Sequence, residues 1–149
     1  MSRFQLMDIY TRLYDRYGPQ GWWPGQTPFE TIIGAILIQN TNWKNVESAL
    51  ANLRTQNCLD LDKLYTMLAE RIALLIRPAG YFNLKSQRLK SFLNWLFARH
   101  NGSIESLRNL PASTLREQLL GIKGIGPETA DSICLYAFDK PVFVVDAYT

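Results

Sequence analysis

Apolar residues recur at helical spacing along nearly the whole chain. Leu6, Tyr10, Leu13, Tyr14 and Tyr17 share one stripe within residues 3–17, and Gly18-Pro19 ends it. Gly21-Trp22-Trp23-Pro24-Gly25 reads as a rigid aromatic turn. Thr27-Pro28-Phe29-Glu30 is a helix start, with Thr27 as cap, Pro28 in the first turn and Glu30 reaching back as a capping box. That helix is predicted to run to about Gln39. Asn40-Thr41-Asn42 breaks and recaps the chain, and a further helix is predicted from Trp43 to about Arg54. Shorter helices are predicted over 60–68 and 69–76, then a turn at Arg77-Pro78-Ala79-Gly80. A long helix from about Asn83 to Arg99 carries Leu89, Phe92, Leu93 and Leu96 on one side, and Asn101-Gly102 ends it. Ser103 and Ser113 have the character of caps for two more helices. The alternation over Val142–Val145 is too short and isolated to build a sheet, so the expected class is all-α, with many short helices and tight connections.

With 149 residues, 47% of them hydrophobic, the chain can bury the core of one domain, or of one domain and part of a second. No apolar run is long enough to span a bilayer, and the N-terminus enters an amphipathic pattern containing Asp8 and Asp15 rather than a secretory signal. Cys58 and Cys134 are far apart and sit in helical patterns, which reads as buried free thiols in a reducing cytosol. No zinc or iron–sulfur spacing is present. The net charge of +3 says little about partners, but its distribution says more: Arg77, Lys85, Arg88, Lys90 and Arg99 follow one another with no acid between them. That run suits either a phosphate-facing surface or a solvated helix face.

Leu115 to Phe138 is the most informative stretch. A helix ends at Leu119-Leu120, Gly121-Ile122-Lys123-Gly124-Ile125-Gly126 follows, and a new helix starts at Pro127-Glu128-Thr129-Ala130. Gly124 and Gly126 are expected to permit positive φ and close approach of another backbone. Pro127 suits a first helical position. Such a hairpin presents backbone N–H groups at a helix N-terminus, an anion site suited to a DNA phosphate that needs no base contact.

Ile122 through Ala130, continued to Pro141-Val142-Phe143-Val144-Val145-Asp146, resembles the helix-hairpin-helix and Gly-Pro-Asp signature of the endonuclease III superfamily of DNA glycosylases. Gly34-Ala35-Ile36-Leu37-Ile38-Gln39-Asn40-Thr41 resembles the family segment whose Gln enters the duplex. Trp22-Trp23-Pro24, Gln39-Asn40-Thr41-Asn42-Trp43, Arg77-Pro78-Ala79-Gly80-Tyr81 and Gly126-Pro127-Glu128-Thr129-Ala130-Asp131 together resemble the branch that removes 3-methyladenine. The resemblance implies a multi-helix orthogonal bundle or barrel over 26–149, with the hairpin at 114–138, and residues 1–25 as part of a second, incomplete lobe.

It also assigns roles. A glycosylase takes a base out of the stack and stabilises an oxocarbenium-like sugar as the base departs. The family's catalytic aspartate falls on Asp146. Trp22, Trp23 and Trp43 lie in turns or at a helix start; indole faces attract a cationic alkylated purine by ~0.5–2 kcal/mol. Glu128 contacts the flipped base or positions the nucleophile, or is simply an exposed helix-start residue. Bifunctional members carry Lys at that position, and a carboxylate cannot form an imine, so a monofunctional enzyme with water as nucleophile is expected. Gln39 and Asn40 are expected at the duplex. Gly121, Lys123, Gly124, Ile125, Gly126 and Thr129 are expected on the backbone phosphates, helped by Arg77, Lys85 and Arg88. The resemblance further implies a monovalent cation on the carbonyls of Leu120, Ile122 and Ile125.

The expected partner is double-stranded DNA carrying a damaged base, bound by a cytoplasmic monomer that touches no membrane. The resemblance implies further helices after Thr149 that pack on residues 6–17, and in many members an iron–sulfur cluster there; no cofactor is expected within these residues. On that expectation the sequence is partial or shortened. Two readings stay open: an alkylation-repair glycosylase, and a non-catalytic DNA-binding remnant. A third, a glycosylase with lyase activity, is disfavoured by Glu128.

Overall fold

The computed structural model describes residues 2–21 and 23–147. Its helices follow in the order α1 (Arg3–Tyr17), α2 (Pro28–Leu37), α3 (Trp43–Thr55), α4 (Leu61–Thr66), α5 (Ala69–Leu75), a 3-10 turn (Arg77–Ala79), α6 (Phe82–His100), α7 (Ile104–Arg108), α8 (Ala112–Leu120), α9 (Pro127–Ser132) and a π turn (Ile133–Ala137). No strand occurs among the described residues, so the all-α expectation holds. No helix among them is long and apolar enough to cross a membrane.

α2 is the centre of the core. Its sequence has almost no polar face, and every residue from Glu30 to Leu37 is buried. Thr27 caps it, accepting the Glu30 amide at 3.2 Å, with Pro28 in the first turn. Glu30 does not close the expected capping box. Its carboxylate accepts the Gln26 amide at 3.0 Å and pairs with Arg54 at 2.9 Å, tying the entry of α2 to the end of α3.

The other helices present stripes to this centre. α3 buries Val46, Ala49, Leu50 and Leu53, and α6 buries Leu89, Phe92, Leu93 and Leu96; both sets have the spacing of one helical face. Leu107, Leu115, Leu119, Ile122, Ile125, Ala130 and Ile133 extend the same core through α7, α8 and the hairpin. Ser103 caps α7 as expected, accepting the Ser106 amide at 3.1 Å. Ser113 does not cap α8, which starts at Ala112 with Pro111 before it; proline's fixed φ supplies the entry instead.

α1 differs from the rest. Ser2 and Gln5 form a full capping box, and Gly18 ends the helix at φ +67°, yet none of its residues is buried. Leu6, Tyr10 and Leu13 are 55%, 57% and 54% exposed. Both cysteines are free. Cys134 is buried as expected, whereas Cys58 is only half-buried. Burial, then the Asp131 carboxylate, pushes the Cys134 thiol up to about 11.

Candidate active-site cleft

One cleft of about 1210 Å³ gathers most of the residues singled out above. Its walls are the α2–α3 connection, the glycine turn with α9, the π turn and the extended segment leading to Asp146.

The α2–α3 connection is shaped by its asparagines. Asn40 takes φ +54°, the left-handed region that Asn tolerates, and turns the chain after α2. Asn42 then caps α3, accepting the Asn45 amide at 3.1 Å. This capping puts Trp43 at the first helical position, with its ring laid over Gly34. A Cβ at Gly34 would meet that ring at 3.4 Å, an ordinary contact, so the indole lies directly over α2. Trp23 meets Trp43 edge-on, with centroids 4.8 Å apart at 81°, and stacks on Tyr136 at 4.5 Å and 15°. Trp22 lies outside the described residues.

The turn between α8 and α9 follows the expected geometry in part. Gly124 takes φ +94°, where only glycine sits without strain. Gly126 does not; at φ −93° and ψ −178° it is extended backbone at the cap of α9, and a Cβ there would meet open space. Ile122 and Ile125 are 5% and 4% exposed and root the turn in the core, so the Ile125 side chain is not presented at the surface. Gly121 and Lys123 are exposed on the turn but outside the cleft lining, and Leu120 is exposed beside them. The two helices of the hairpin are clamped together: Arg116 Nε and Nη2 donate to the Asp131 carboxylate at 2.6 and 3.2 Å.

Glu128 and Asp146 are both exposed and both line the cleft, with Asn40, Gly124, Ile125, Gly126 and Thr129. Gln39 lines it too, but its amide is turned onto the hairpin rather than outward. Its Nε2 donates to Thr129 Oγ1 at 3.0 Å and to the Gly124 carbonyl at 3.4 Å, and its Oε1 accepts from Arg88 Nη1. Thr129 is buried, and its Oγ1 accepts this bond inside the protein.

The basic run is corrected by the structure. Lys85 is 1% exposed, and its ammonium donates to the Leu37 and Ala79 carbonyls at 2.8 and 2.7 Å. It closes the C-terminal end of α2 and the 3-10 turn, where a cation suits the helix dipole, and it cannot reach a phosphate. Burial, with the neighbouring Arg88 guanidinium as second cause, pulls its pKa down to about 8. Lys90 donates to the Tyr65 carbonyl and lies over that ring. Arg77 is exposed but sits over Phe82, away from the cleft. A run of like charges in sequence is thus split by the fold: Lys85 is used inside the protein, whereas Arg77 and Arg99 stay exposed.

Tyr136, Ser132, Asn42 and Val144 also line the cleft and were not anticipated. A signal existed for two of them. Thr129, Ser132 and Tyr136 have the spacing of a helical face, and the first of them was already singled out.

Comparison with known proteins shows the family. Residues 33–149 match the family model described as HhH-GPD superfamily base excision DNA repair protein. A Methanocaldococcus jannaschii protein named "Putative DNA repair glycosylase MJ1434" is 46% identical, over 99% of this chain and 68% of that protein. Endonuclease III of Haemophilus influenzae is 27% identical, over 99% of this chain and 66% of its own length. Among solved structures, an H. pylori 3-methyladenine DNA glycosylase (MagIII) bound to 1,N6-ethenoadenine superposes with a TM-score of 0.84 at 32% identity, covering 99% of this chain and 70% of that one. The chain therefore spans about two thirds of each of these relatives. With the family model covering most of its residues and the glycine turn, Asp146 and the cleft in the places just described, the chain belongs to the HhH-GPD superfamily of base excision DNA repair glycosylases.

Proposed function

We propose that this glycosylase is monofunctional and releases alkylated purines such as 3-methyladenine from duplex DNA. The observation that carries this reading is the convergence of Trp23, Trp43, Glu128 and Asp146 on one cleft beside the glycine turn. The likeness to an H. pylori 3-methyladenine glycosylase supports the same substrate class.

In the proposed reaction the flipped purine enters against the indoles, whose faces attract its positive charge. The N-glycosidic bond breaks and its electron pair leaves with the base, which becomes neutral. Asp146, ionised, stabilises the positive sugar, and a water oxygen forms the new bond to the anomeric carbon while its proton passes to the carboxylate. Glu128 stands where bifunctional members carry a lysine, so no imine forms and the strand stays intact. The glycine-turn amides and Lys123 face phosphate. The carbonyls of Leu120, Ile122 and Ile125 are neutral, hard oxygens, a donor set fit for a monovalent cation, which when bound would add positive charge to the turn. The protein works as a monomer in the cytoplasm.

The test is base release from duplex DNA treated with a methylating agent. Wild type is expected to liberate free methylpurine, with no release from untreated DNA, and Asp146→Asn to lower the rate by about a hundredfold or more. DNA binding without base release defeats the proposal, and a borohydride-trapped protein–DNA adduct replaces it with a lyase.

A further inference from the structure

We propose that Arg88 is a positioning residue for the DNA-binding turn, acting through Gln39, and is not itself a phosphate contact. The proposal rests on the reading of the hairpin as the DNA-gripping element.

Four groups from four parts of the chain meet in a row. Arg88 comes from the middle of α6, Gln39 from just past the end of α2, Gly124 from the glycine turn and Thr129 from α9. The stem of Arg88 lies directly on Gly124: a Cβ at that glycine would fall 2.4 Å from Arg88 Cγ and 3.0 Å from Cδ. Beyond it the guanidinium donates from Nη1 to Gln39 Oε1. An Arg can only donate, so this contact decides which way the Gln39 amide points. With its oxygen taken, Gln39 must offer Nε2 to the hairpin, where it meets Thr129 Oγ1 at 3.0 Å and the Gly124 carbonyl at 3.4 Å.

The Gly124–Ile125 peptide is thereby held at both ends. Its carbonyl takes Gln39, and its N–H donates to the Ile122 carbonyl at 3.1 Å. Glycine leaves the backbone of a turn conformationally free, and fixing it beforehand lowers the ordering cost of binding phosphate. Arg88 supplies that restraint from a neighbouring helix. Its Nε is buried without a hydrogen-bond partner, so the side chain is kept in place by packing and by Gln39 rather than by solvent. Truncating Arg88 frees the Gln39 amide to turn over, and the turn loses two of its ties at once.

Equilibrium binding to an undamaged duplex, measured from low to moderate salt, separates this role from a phosphate contact. A lost phosphate contact lowers the slope of log affinity against log salt by about 0.9. Positioning predicts instead that Arg88→Ala binds about tenfold more weakly at the wild-type slope, and that Thr129→Val does the same from the other end of the row. The double variant is then expected to be no more than about tenfold weaker than wild type, because both changes cut one connection. Arg88→Gln keeps a donor toward Gln39 without the charge; it is expected to bind close to wild type, at the wild-type slope, and it carries the test if Arg88→Ala does not fold. A slope lower by about one in either Arg88 variant overturns the proposal. So do single-variant effects that multiply in the double variant. Wild type that binds no duplex at all defeats the hairpin reading and this proposal together, whereas wild type that binds normally beside slope-changing variants defeats this proposal alone.

Discussion

Lys85 lies among basic residues in sequence, but its ammonium closes two ends of the backbone. Both of its carbonyl partners sit where helical hydrogen bonding runs out. Lys85→Met fills the same space and leaves the Leu37 and Ala79 carbonyls unpaired, which is expected to cost about 1–3 kcal/mol in denaturant unfolding. A second signature separates the charge from the packing. The folded-state pKa is lowered to about 8 while the unfolded chain keeps the ordinary lysine value, so between the two the unfolded chain holds a proton that the folded one has released. Stability from this group therefore rises with pH from about 8 toward the ordinary lysine range. The stability gap between wild type and Lys85→Met is expected to widen over that window; a constant gap shows that Lys85 keeps its proton throughout. Neither the burial of Lys85 nor the internal use of Arg88 could be read from the sequence, because a basic residue at a buried helical position has the same letter as one in solvent.

Among the elements, the hairpin was the most legible, because it is built from residues whose backbone preferences are extreme. Gly124 at positive φ and Pro127 opening α9 follow from local chemistry alone. Gly126 did not take the conformation its identity allows, since a glycine permits positive φ without requiring it. Helix boundaries came within a few residues wherever a cap marked them, as at Thr27, Asn42 and Ser103. What joins α8 to α9 was not legible: Asp131 was visible only as the last letter of a motif, and its partner Arg116 lies on the other helix. Asp131→Ala should loosen this clamp. Arg116 is 40% exposed and regains water when its partner is lost, so a small loss of stability is expected rather than that of a stranded buried charge. Chemical denaturation measures it, and an unchanged midpoint means the pair contributes nothing net.

For the whole molecule, the cleft was anticipated as a set of residues but not as a shape. Trp23, Trp43, Glu128 and Asp146 were each singled out by residue type and resemblance, and the fold brings them to one wall-lined space. Tyr136 completes the aromatic cluster from the π turn, on the same cleft wall as Thr129 and Ser132, whose helical spacing it continues. The role of α2 as the central helix was implicit in its lack of a polar face, though the sequence alone did not say which helices would surround it.

The solvent-laid α1 has a consequence for how the protein comes apart. Within residues 1–149, a helix with no buried residue adds little to the cooperative unit, so its amides are expected to exchange with deuterium through local fraying, orders of magnitude faster than those of α2. Removing residues 2–20 is expected to leave the midpoint of thermal melting where it was. A drop of several degrees would mean that this lone segment is stitched to the remainder when the chain is in water.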